Sequence, residues 1–325
     1  MDTTDQTAVA AAVAGDEAAF TALVERHRRE LHVHCYRMLG SYDDAEEVLQ
    51  ETFLRAWRRR ETYAGRSTFR AWLYRIATNA SLDELGRRPR RPAGGEVPWL
   101  QPYPDELLET VPATDDDPGT AVVEKETIEL AYLAAIQHLT PTARAALILR
   151  DVLDWPAKDA ADLLETSVAS VNSALQRARA ELRERLPERR AEWPAGEDPT
   201  AAEKALLARY VDATERGDMA LMAATLREDL RFSMPPEPGV FEGRDEIIGL
   251  WVQGGFGDAE KLGRWRCVLT RANRQPATAN YVCAPGETVY RAMAIDVLRI
   301  AEGRIAEIVT FPGDQFARFG LPAEL

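Results

Sequence analysis

The sequence predicts a multidomain chain: two all-α domains, a helical bundle and a helix-turn-helix, followed by an α+β domain with a curved antiparallel sheet. Three observations predict it. The chain has 325 residues, long for a single domain. Up to about residue 190 the apolar residues recur at helical spacing, broken only by a proline-rich stretch. Beyond residue 200, two helical patterns lead into a series of short strand-like runs, and helices first with a sheet after them is an α+β arrangement. The segments expected are 1–15, an N-terminal tail or the start of the first helix; 16–91, helical; 92–126, a linker; 127–190, helical; 191–200, a second linker; and 201–325, the α+β domain.

The first helical segment contains FTALVERHRRELHVHCYRML, with Phe20, Leu23, Val24, Leu31, Cys35 and Leu39 on one side. After Gly40-Ser41 comes DDAEEVLQETFLRAWRRR, whose apolar set is Ala45, Val48, Leu49, Phe53, Ala56 and Trp57. Asp43 and Asp44 favour the start of that helix and Arg58–Arg60 complement its end. The loop TYAGRST leads into FRAWLYRIATNASLDEL, and Gly86 with RRPRR closes the unit. The linker 92–126 holds six prolines, three glycines and nine acidic residues, yet also PWLQPYPDELL. Trp99, Leu100, Tyr103, Leu107 and Leu108 make that stretch too apolar for an inert tether; Trp99, Leu100, Tyr103 and Leu107 are expected to anchor it between the second helical segment and the α+β domain.

In the second helical segment, Thr140-Pro141 starts a helix that ends at Leu153. Asp154-Trp155-Pro156 then opens PAKDAADLL, with Asp154 or Trp155 near the cap and Pro156 in the first turn. The turn Glu165-Thr166-Ser167 follows, and Ser167 caps the next helix. In SVASVNSALQRARAELRERL the positions Val168, Val171, Leu175, Leu182 and Leu186 form a buried stripe. The exposed face begins with Ser170, Asn172, Ser173 and Gln176 and continues with Arg177, Arg179, Arg183 and Arg185. Short helix, turn and longer helix outline a helix-turn-helix, whose second helix enters the major groove by its N-terminal part. Asn and Gln pair bidentately with adenine, and Ser with several bases; arginines further along meet phosphates. The plain alternative is a solvated helical hairpin.

In the tail, AAEKALLARYVDATERGD, MALMAATL and EGRDEIIGLWVQGG read as helices. LRFSM, GVFEG, RWRCVLTRAN, ATANYVCA, TVYRAMAIDVLRI and GRIAEIVTF read as strands, with hairpin turns at Gly286 and Gly303.

The composition, 46% apolar and 29% charged, is globular. No run approaches the roughly 18 apolar residues of a membrane span, and the N-terminus lacks a basic start and a long apolar core, so neither a membrane nor a signal peptide is expected. Cys35, Cys267 and Cys283 are scattered and form no zinc-like cluster. They read as free thiols in a reducing cytoplasm, with no metal and no cofactor. The net charge of −13 argues against an indiscriminate nucleic-acid binder. The distribution is uneven: residues 16–91 carry 15 basic against 12 acidic groups, residues 92–126 one against nine, residues 127–190 nine of each, and residues 191–325 fifteen against 21.

The stretch DDAEEVLQETFLRAWRRRETYAGRSTFRAWLYRIATNASLDELGRRPRR resembles region 2 of the extracytoplasmic-function sigma factors, and LTPTARAALILRDVLDWPAKDAADLLETSVASVNSALQRARAEL resembles their region 4. Residues 201–325, with MPPEPGVFEGRDEIIGLW, resemble a SnoaL-like (NTF2-like) domain, a cone with a pocket. WLQPYPDELL resembles the linkers of the subset of sigma factors that carry such a tail. The resemblance implies a transcription initiation factor that partners core RNA polymerase and promoter DNA. It implies docking on the β′ clamp helices through Glu47, Gln50, Glu51, Leu54 and Trp57, with the β flap as a further contact; Leu54 and Trp57 can equally be core. It implies that region 2 reads the −10 element as single-stranded bases, which needs pockets and stacking surfaces beside basic groups. Arg66, Ser67, Thr68, Phe69, Arg70, Trp72, Arg75 and Asn79 supply them, with the loop residues Arg66, Ser67 and Thr68 favoured for the base pocket and Phe69, Trp72 and Ile76 at core spacing. Arg87, Arg88, Arg90 and Arg91 would hold phosphates. Region 4 would read the −35 element.

One departure stands out. Family recognition helices often read TVKSRLxRAR, whereas this one reads SVNSALQRAR, so that Asn172 replaces a Lys and Ala174 an Arg. Contact with promoter DNA should then be weak without the polymerase. For the tail the expectation is regulation in cis, with a small ligand in a pocket lined by Trp251, Tyr281, Tyr290, Arg291 and Asp296. All four histidines lie before residue 200, which leaves the tail without the commonest acid/base group. Asp296 is expected to pair with Arg291 or Arg299. The competing reading is a SnoaL-like isomerase, cyclase or hydrolase fused to DNA-binding helices. No segment points to a separate anti-sigma partner.

Overall fold

The computed structural model describes residues 3–65, 67–87, 97, 99–108, 128–186 and 199–325. The chain divides into two units, Met1–Pro92 with Leu107–Glu188, and Ala93–Glu106 with Arg189–Leu325.

The first unit is helical. Residues 1–15 are more than a tail: α1 (Thr3–Val13) is a separate helix that buries Val9 and Ala12. Gly15, at φ 102°, turns the chain, and Asp16 caps α2 (Glu17–Leu39) by accepting from the Ala19 amide at 3.0 Å. Gly40, at φ 73°, ends α2. Ser41 caps α3 (Tyr42–Arg58), and α4 (Phe69–Arg87) completes the bundle. Its core is the set the spacing marked, including Phe20, Leu31, Leu39 and Leu49, except for Phe53 and Trp57, which are half-buried; Leu73 and Tyr74 join it. Cys35 is fully buried, which pushes its thiol up to about 12.

Further along come α6 (Leu130–Gln137) and α7 (Pro141–Leu147). A π-helical turn over Ile148–Val152 extends α7 and is followed by α8 (Ala157–Leu163) and α9 (Val168–Arg185). Their core is Ala146, Leu149, Ala160, Ala161, Leu163, Val171 and Ala174. The cap of α8 is Pro156 itself, at ψ 141°, while Asp154 takes a left-handed turn at φ 48°. The cap is therefore one residue later than the sequence suggested, because the tight reversal after Leu153 consumes Asp154. Between α4 and α6 lies the short helix α5 (Asp105–Leu108), and the boundary between the two units falls within it.

The second unit starts at α10 (Ala201–Arg216), opened by a reciprocal capping box between Thr200 and Glu203, and α11 (Met219–Thr225). Then come β1 (Leu226–Ser233), β2 (Val240–Glu242), α12 (Arg244–Gln253), β3 (Arg264–Ala272), β4 (Gln275–Cys283), β5 (Arg291–Ala301) and β6 (Arg304–Pro312). The sheet order is β2-β1-β6-β5-β4-β3. The sheet is mixed rather than wholly antiparallel: β1 lies parallel to β6, because the last strand of the meander returns beside the first strand of the unit. Glu302-Gly303, both at positive φ, turn β5 into β6 as Gly303 suggested, and Asn273-Arg274, at φ 55° and 61°, turn β3 into β4. The core lies between α10, α11, α12 and the sheet, with Leu206, Tyr210, Met222, Phe232, Ile247 and Leu298 at its centre. A 3₁₀ helix over Gly313–Phe319 packs Phe316 on Tyr281, ring centres 4.9 Å apart.

Candidate nucleic-acid interface

Helix α9 begins at Ser167, whose hydroxyl accepts the Ser170 amide at 3.1 Å. The Ser170 hydroxyl closes on Ser167 at 2.9 Å, so it is held within the cap. Val171, Ala174, Leu175, Ala178 and Leu182 face the core. Asn172, Ser173 and Gln176 are exposed, as are Arg177 and Arg183. Val168, the first residue of α9, departs from the expected stripe and is 40% exposed, and Leu186, at its C-cap, is only half-buried. Arg179 is committed: Asp151 holds it bidentately at 2.6 and 2.8 Å, which raises the guanidinium pKa. Arg185 pairs with Glu181 at 3.3 Å. A groove of about 320 Å³ runs beside the helix over Ala143, Ala146, Ala174 and Ala178, with Arg177 and Glu181 at its rim.

In the bundle, Tyr63, Phe69 and Trp72 form a ring cluster with centres 5.4 to 5.6 Å apart. The Tyr63 hydroxyl donates to the Ser67 carbonyl at 2.8 Å and so shapes the loop. Phe69 is buried, Trp72 and Asn79 are half-buried, and Ser67 and Arg75 are exposed. Thr68 spends its hydroxyl on the Ala71 amide at 3.1 Å, capping α4. Arg70 is held by Glu30 at 2.7 Å. Burial pushes the Glu30 carboxyl up, but hydrogen bonds from His27 and Arg70 outweigh it and leave the group below its ordinary value. Arg87 pairs with Glu84 at 3.5 Å. Arg66, Arg88, Arg90 and Arg91 lie outside the described residues.

Along α3, Glu47 and Gln50 are exposed and Leu54 is 50% exposed. Glu51 is tied to Arg55 at 2.7 Å. Trp57 is half-buried, edge-on to Phe20 at 5.1 Å and capped by the Arg60 guanidinium at 4.4 Å. Its core role and its outward edge therefore coexist.

Residues 99–106, WLQPYPDE, belong to the second unit and are seated on its β3–β4 turn. The Tyr103 amide donates to Asn273 Oδ1 at 2.8 Å, the Asn273 amide donates back to the Tyr103 carbonyl at 2.9 Å, and Pro104 bridges Ala272 on edge strand β3. Asp105 accepts the Arg274 amide at 2.7 Å and Arg271 Nε at 3.0 Å. Burial raises the Asp105 carboxyl pKa, against the pull of those partners. Leu100 and Tyr103 are buried, and Trp99 and Leu107 are half-buried.

Asp296 contradicts the expectation of an arginine partner. Arg291 pairs with Glu324 and Glu287, and Arg299 with Glu307 at 2.9 Å. Asp296 instead projects from β5 toward α10 and accepts from Thr310 Oγ1 at 2.6 Å, Asn280 Nδ2 at 2.7 Å and the Tyr210 hydroxyl at 3.3 Å. Burial raises its pKa, partly offset by those three bonds. Trp251 packs on Phe232 at 5.3 Å within the same core. Tyr281 belongs to the opposite face, its hydroxyl on the Pro322 carbonyl at 3.0 Å, since side chains of one strand alternate. Tyr290 sits under Arg264 and Arg266, 5.8 and 5.0 Å from its ring. The five pocket candidates therefore do not converge. Among the described residues no group of three or more His, Cys, Asp or Glu is placed to hold a metal ion, and no single helix is long and apolar enough to cross a membrane.

Residues 23–91 match the family model for Sigma-70 region 2, residues 129–182 that for Sigma-70, region 4, and residues 207–308 that for a SnoaL-like domain. The ECF RNA polymerase sigma factor SigG of Mycobacterium tuberculosis is 40% identical over 326 residues, covering 94% of this chain and 85% of that one. The chain belongs to the ECF RNA polymerase sigma factors. A second member, SigJ of the same organism, is 28% identical across 87% of this chain and 88% of its own. The crystal structure of M. tuberculosis SigJ superposes with a TM-score of 0.58 at 23% identity, covering 93% of this chain and 99% of that one, and so shares its fold.

For a sigma factor, three residues with structural weight escaped sequence reasoning. Tyr63 lies in the loop TYAGRST, Asn273 ends a strand-like run with no glycine to mark a turn, and Arg144 was assigned no role. Arg144 is 1% exposed. Only its place in ARAALIL, among apolar neighbours, hints at burial.

Proposed function

We propose that this sigma factor docks on core RNA polymerase through α3, with Glu47, Gln50, Leu54 and the edge of Trp57 meeting the β′ clamp helices and region 4 meeting the β flap. The polymerase then carries it to promoters whose −35 element is read by α9. The observation that carries this reading is the front of α9: Asn172, Ser173 and Gln176 stand exposed behind a serine cap, with Val168 one turn before Asn172. Asn and Gln suit adenine edges, and an exposed valine suits a thymine methyl. Arg177 and Arg183 remain for phosphates. In region 2, Ser67, Trp72, Arg75 and Asn79 are the accessible members of the −10 set, while Arg70 and Thr68 serve the loop that presents them. The protein acts in the cytoplasm, where its polymerase is.

The tail acts in cis through the linker, which it holds by Asp105, Tyr103 and the Asn273-Arg274 turn. A structural rather than catalytic role for Asp296 is supported by its three bonded donors. Run-off transcription with core polymerase tests the reading. Asn172→Ala or Gln176→Ala should shift −35 preference by about 1–3 kcal/mol per bidentate contact, whereas Arg183→Ala should weaken all promoters alike. Failure of the purified protein to bind core polymerase at micromolar concentration would sink the proposal. Turnover of a small molecule that is lost on changing Asp296 would favour the enzymatic alternative.

A further inference from the structure

Regions 2 and 4 lie in one compact unit, and the contact between them is built around a buried arginine. Arg144 of α7 directs its guanidinium at three carbonyls of its own region and one of region 2. Nε donates to Ile136 O at 2.9 Å, and Nη2 donates to Gln137 O at 2.8 Å and Leu139 O at 3.2 Å. Nη1 donates to Gln137 Oε1 at 2.6 Å and to Met38 O at the C-terminus of α2. Gln137 in turn donates to Arg37 O at 3.2 Å. The last turn of α2 leaves carbonyls without helical donors, and region 4 supplies them with a cation and an amide, which also suits the negative end of the helix. Gly40 admits this approach: a Cβ there would stand 3.0 Å from Gln137 Cδ. A second contact packs Trp155, just ahead of α8, against Tyr74 of α4, with ring centres 5.8 Å apart and planes inclined at 58°.

We propose that Arg144, with Gln137, is an intramolecular latch that holds regions 2 and 4 in a closed state and must be released before both promoter elements are engaged. This rests on the promoter-reading roles given above. Two domains of this size are each roughly 30 Å across, so in contact they reach roughly 60 Å end to end. The −35 and −10 elements are about 25 base pairs apart by position, or roughly 85 Å at about 3.4 Å per step. The closed unit is too short to bridge them. The latch is suited to release because its partners on α2 are main-chain carbonyls, which water satisfies once region 4 departs.

The experiment uses the full chain. The distance between labels on Glu61 and Glu184 is measured in free protein, together with affinity for core polymerase. Gln137→Ala and Arg144→Lys should lengthen the label distance and tighten polymerase binding about five- to tenfold, because less closed state has to be opened. Arg144 also binds carbonyls of its own region, so its variants are open to misfolding. A Gly40→Cys, Gln137→Cys pair supplies the converse arm: oxidised, it should cut promoter-directed transcription at least tenfold, with recovery on reduction. An unchanged label distance in the Gln137→Ala variant, or full transcription from the oxidised pair, overturns the latch. If the native chain does not bind polymerase at all, the promoter reading fails, and the label distance alone still decides whether Arg144 and Gln137 hold the regions together.

Discussion

The helical unit buries a guanidinium and the tail buries a carboxyl group, and the two are satisfied in different ways. Arg144 reaches main-chain carbonyls at the ends of two helices belonging to different regions. Asp296 draws three side-chain donors from β4, β6 and α10 of a single domain. Opening the first site exposes groups that water can rebond. Opening the second would leave Tyr210, Asn280 and Thr310 without their acceptor inside an apolar core. A buried ionisable group therefore marks a joint between domains in one unit and a fixed cross-brace in the other.

The largest effect expected is at the brace. Asp296→Leu removes the acceptor for three buried donors, each costing about 1–3 kcal/mol when left unsatisfied. Hydrogen exchange across β4–β6 should report a loss of about 3 kcal/mol or more. A loss below about 1 kcal/mol would show that the donors find other partners and would erase the contrast with Arg144.

Acidification separates the two units by sign. His34 of α2 is fully buried, and its Nε2–H donates to Thr78 Oγ1 at 2.8 Å, since the Thr78 hydroxyl is spent on the Tyr74 carbonyl. Burial, and secondarily the charges of Arg37 and Arg70, lower its pKa from 6.5 to about 3. The folded state then binds fewer protons than the unfolded one, so the stability His34 allows is present above pH 6.5 and declines as pH falls toward 3. Between pH 7 and 5 exchange protection in α2 should drop by about 2 kcal/mol, and His34→Gln should flatten that dependence. Asp296 shifts the other way. Its raised pKa means that the folded tail binds more protons, so the tail is favoured at low pH and loses that contribution as pH climbs past the ordinary carboxylate value and through the raised one. Asp296→Asn should abolish this slope. Parallel pH slopes in the two units would break the comparison.

Smaller effects sharpen it. Asp105→Ala should free the linker from the β3–β4 turn at a cost of about 1–3 kcal/mol, read as faster amide exchange at Asn273 and Arg274. Arg179→Ala removes an exposed ion pair with Asp151 and should change stability by less than about 1 kcal/mol, with promoter preference unaltered.

The helices of both regions, the serine cap of α9, the strands of the tail and the apolar anchors of the linker were legible in the residues. Each is written locally, in spacing of three and four, in alternation, or in a cap within three positions. Val168 shows the limit of spacing: it shares the period of the buried stripe, yet as the first residue of α9 it is 40% exposed. Tertiary structure alone decided that β1 runs parallel to β6, that Asp296 meets Tyr210, Asn280 and Thr310 instead of an arginine, that Tyr281 turns to the far face, and that Arg144 leaves solvent for the end of α2. Those outcomes pair residues from 14 to 106 positions apart. They depend on which donors and acceptors the packed backbone brings within about 3 Å, a distance that one-dimensional spacing does not encode.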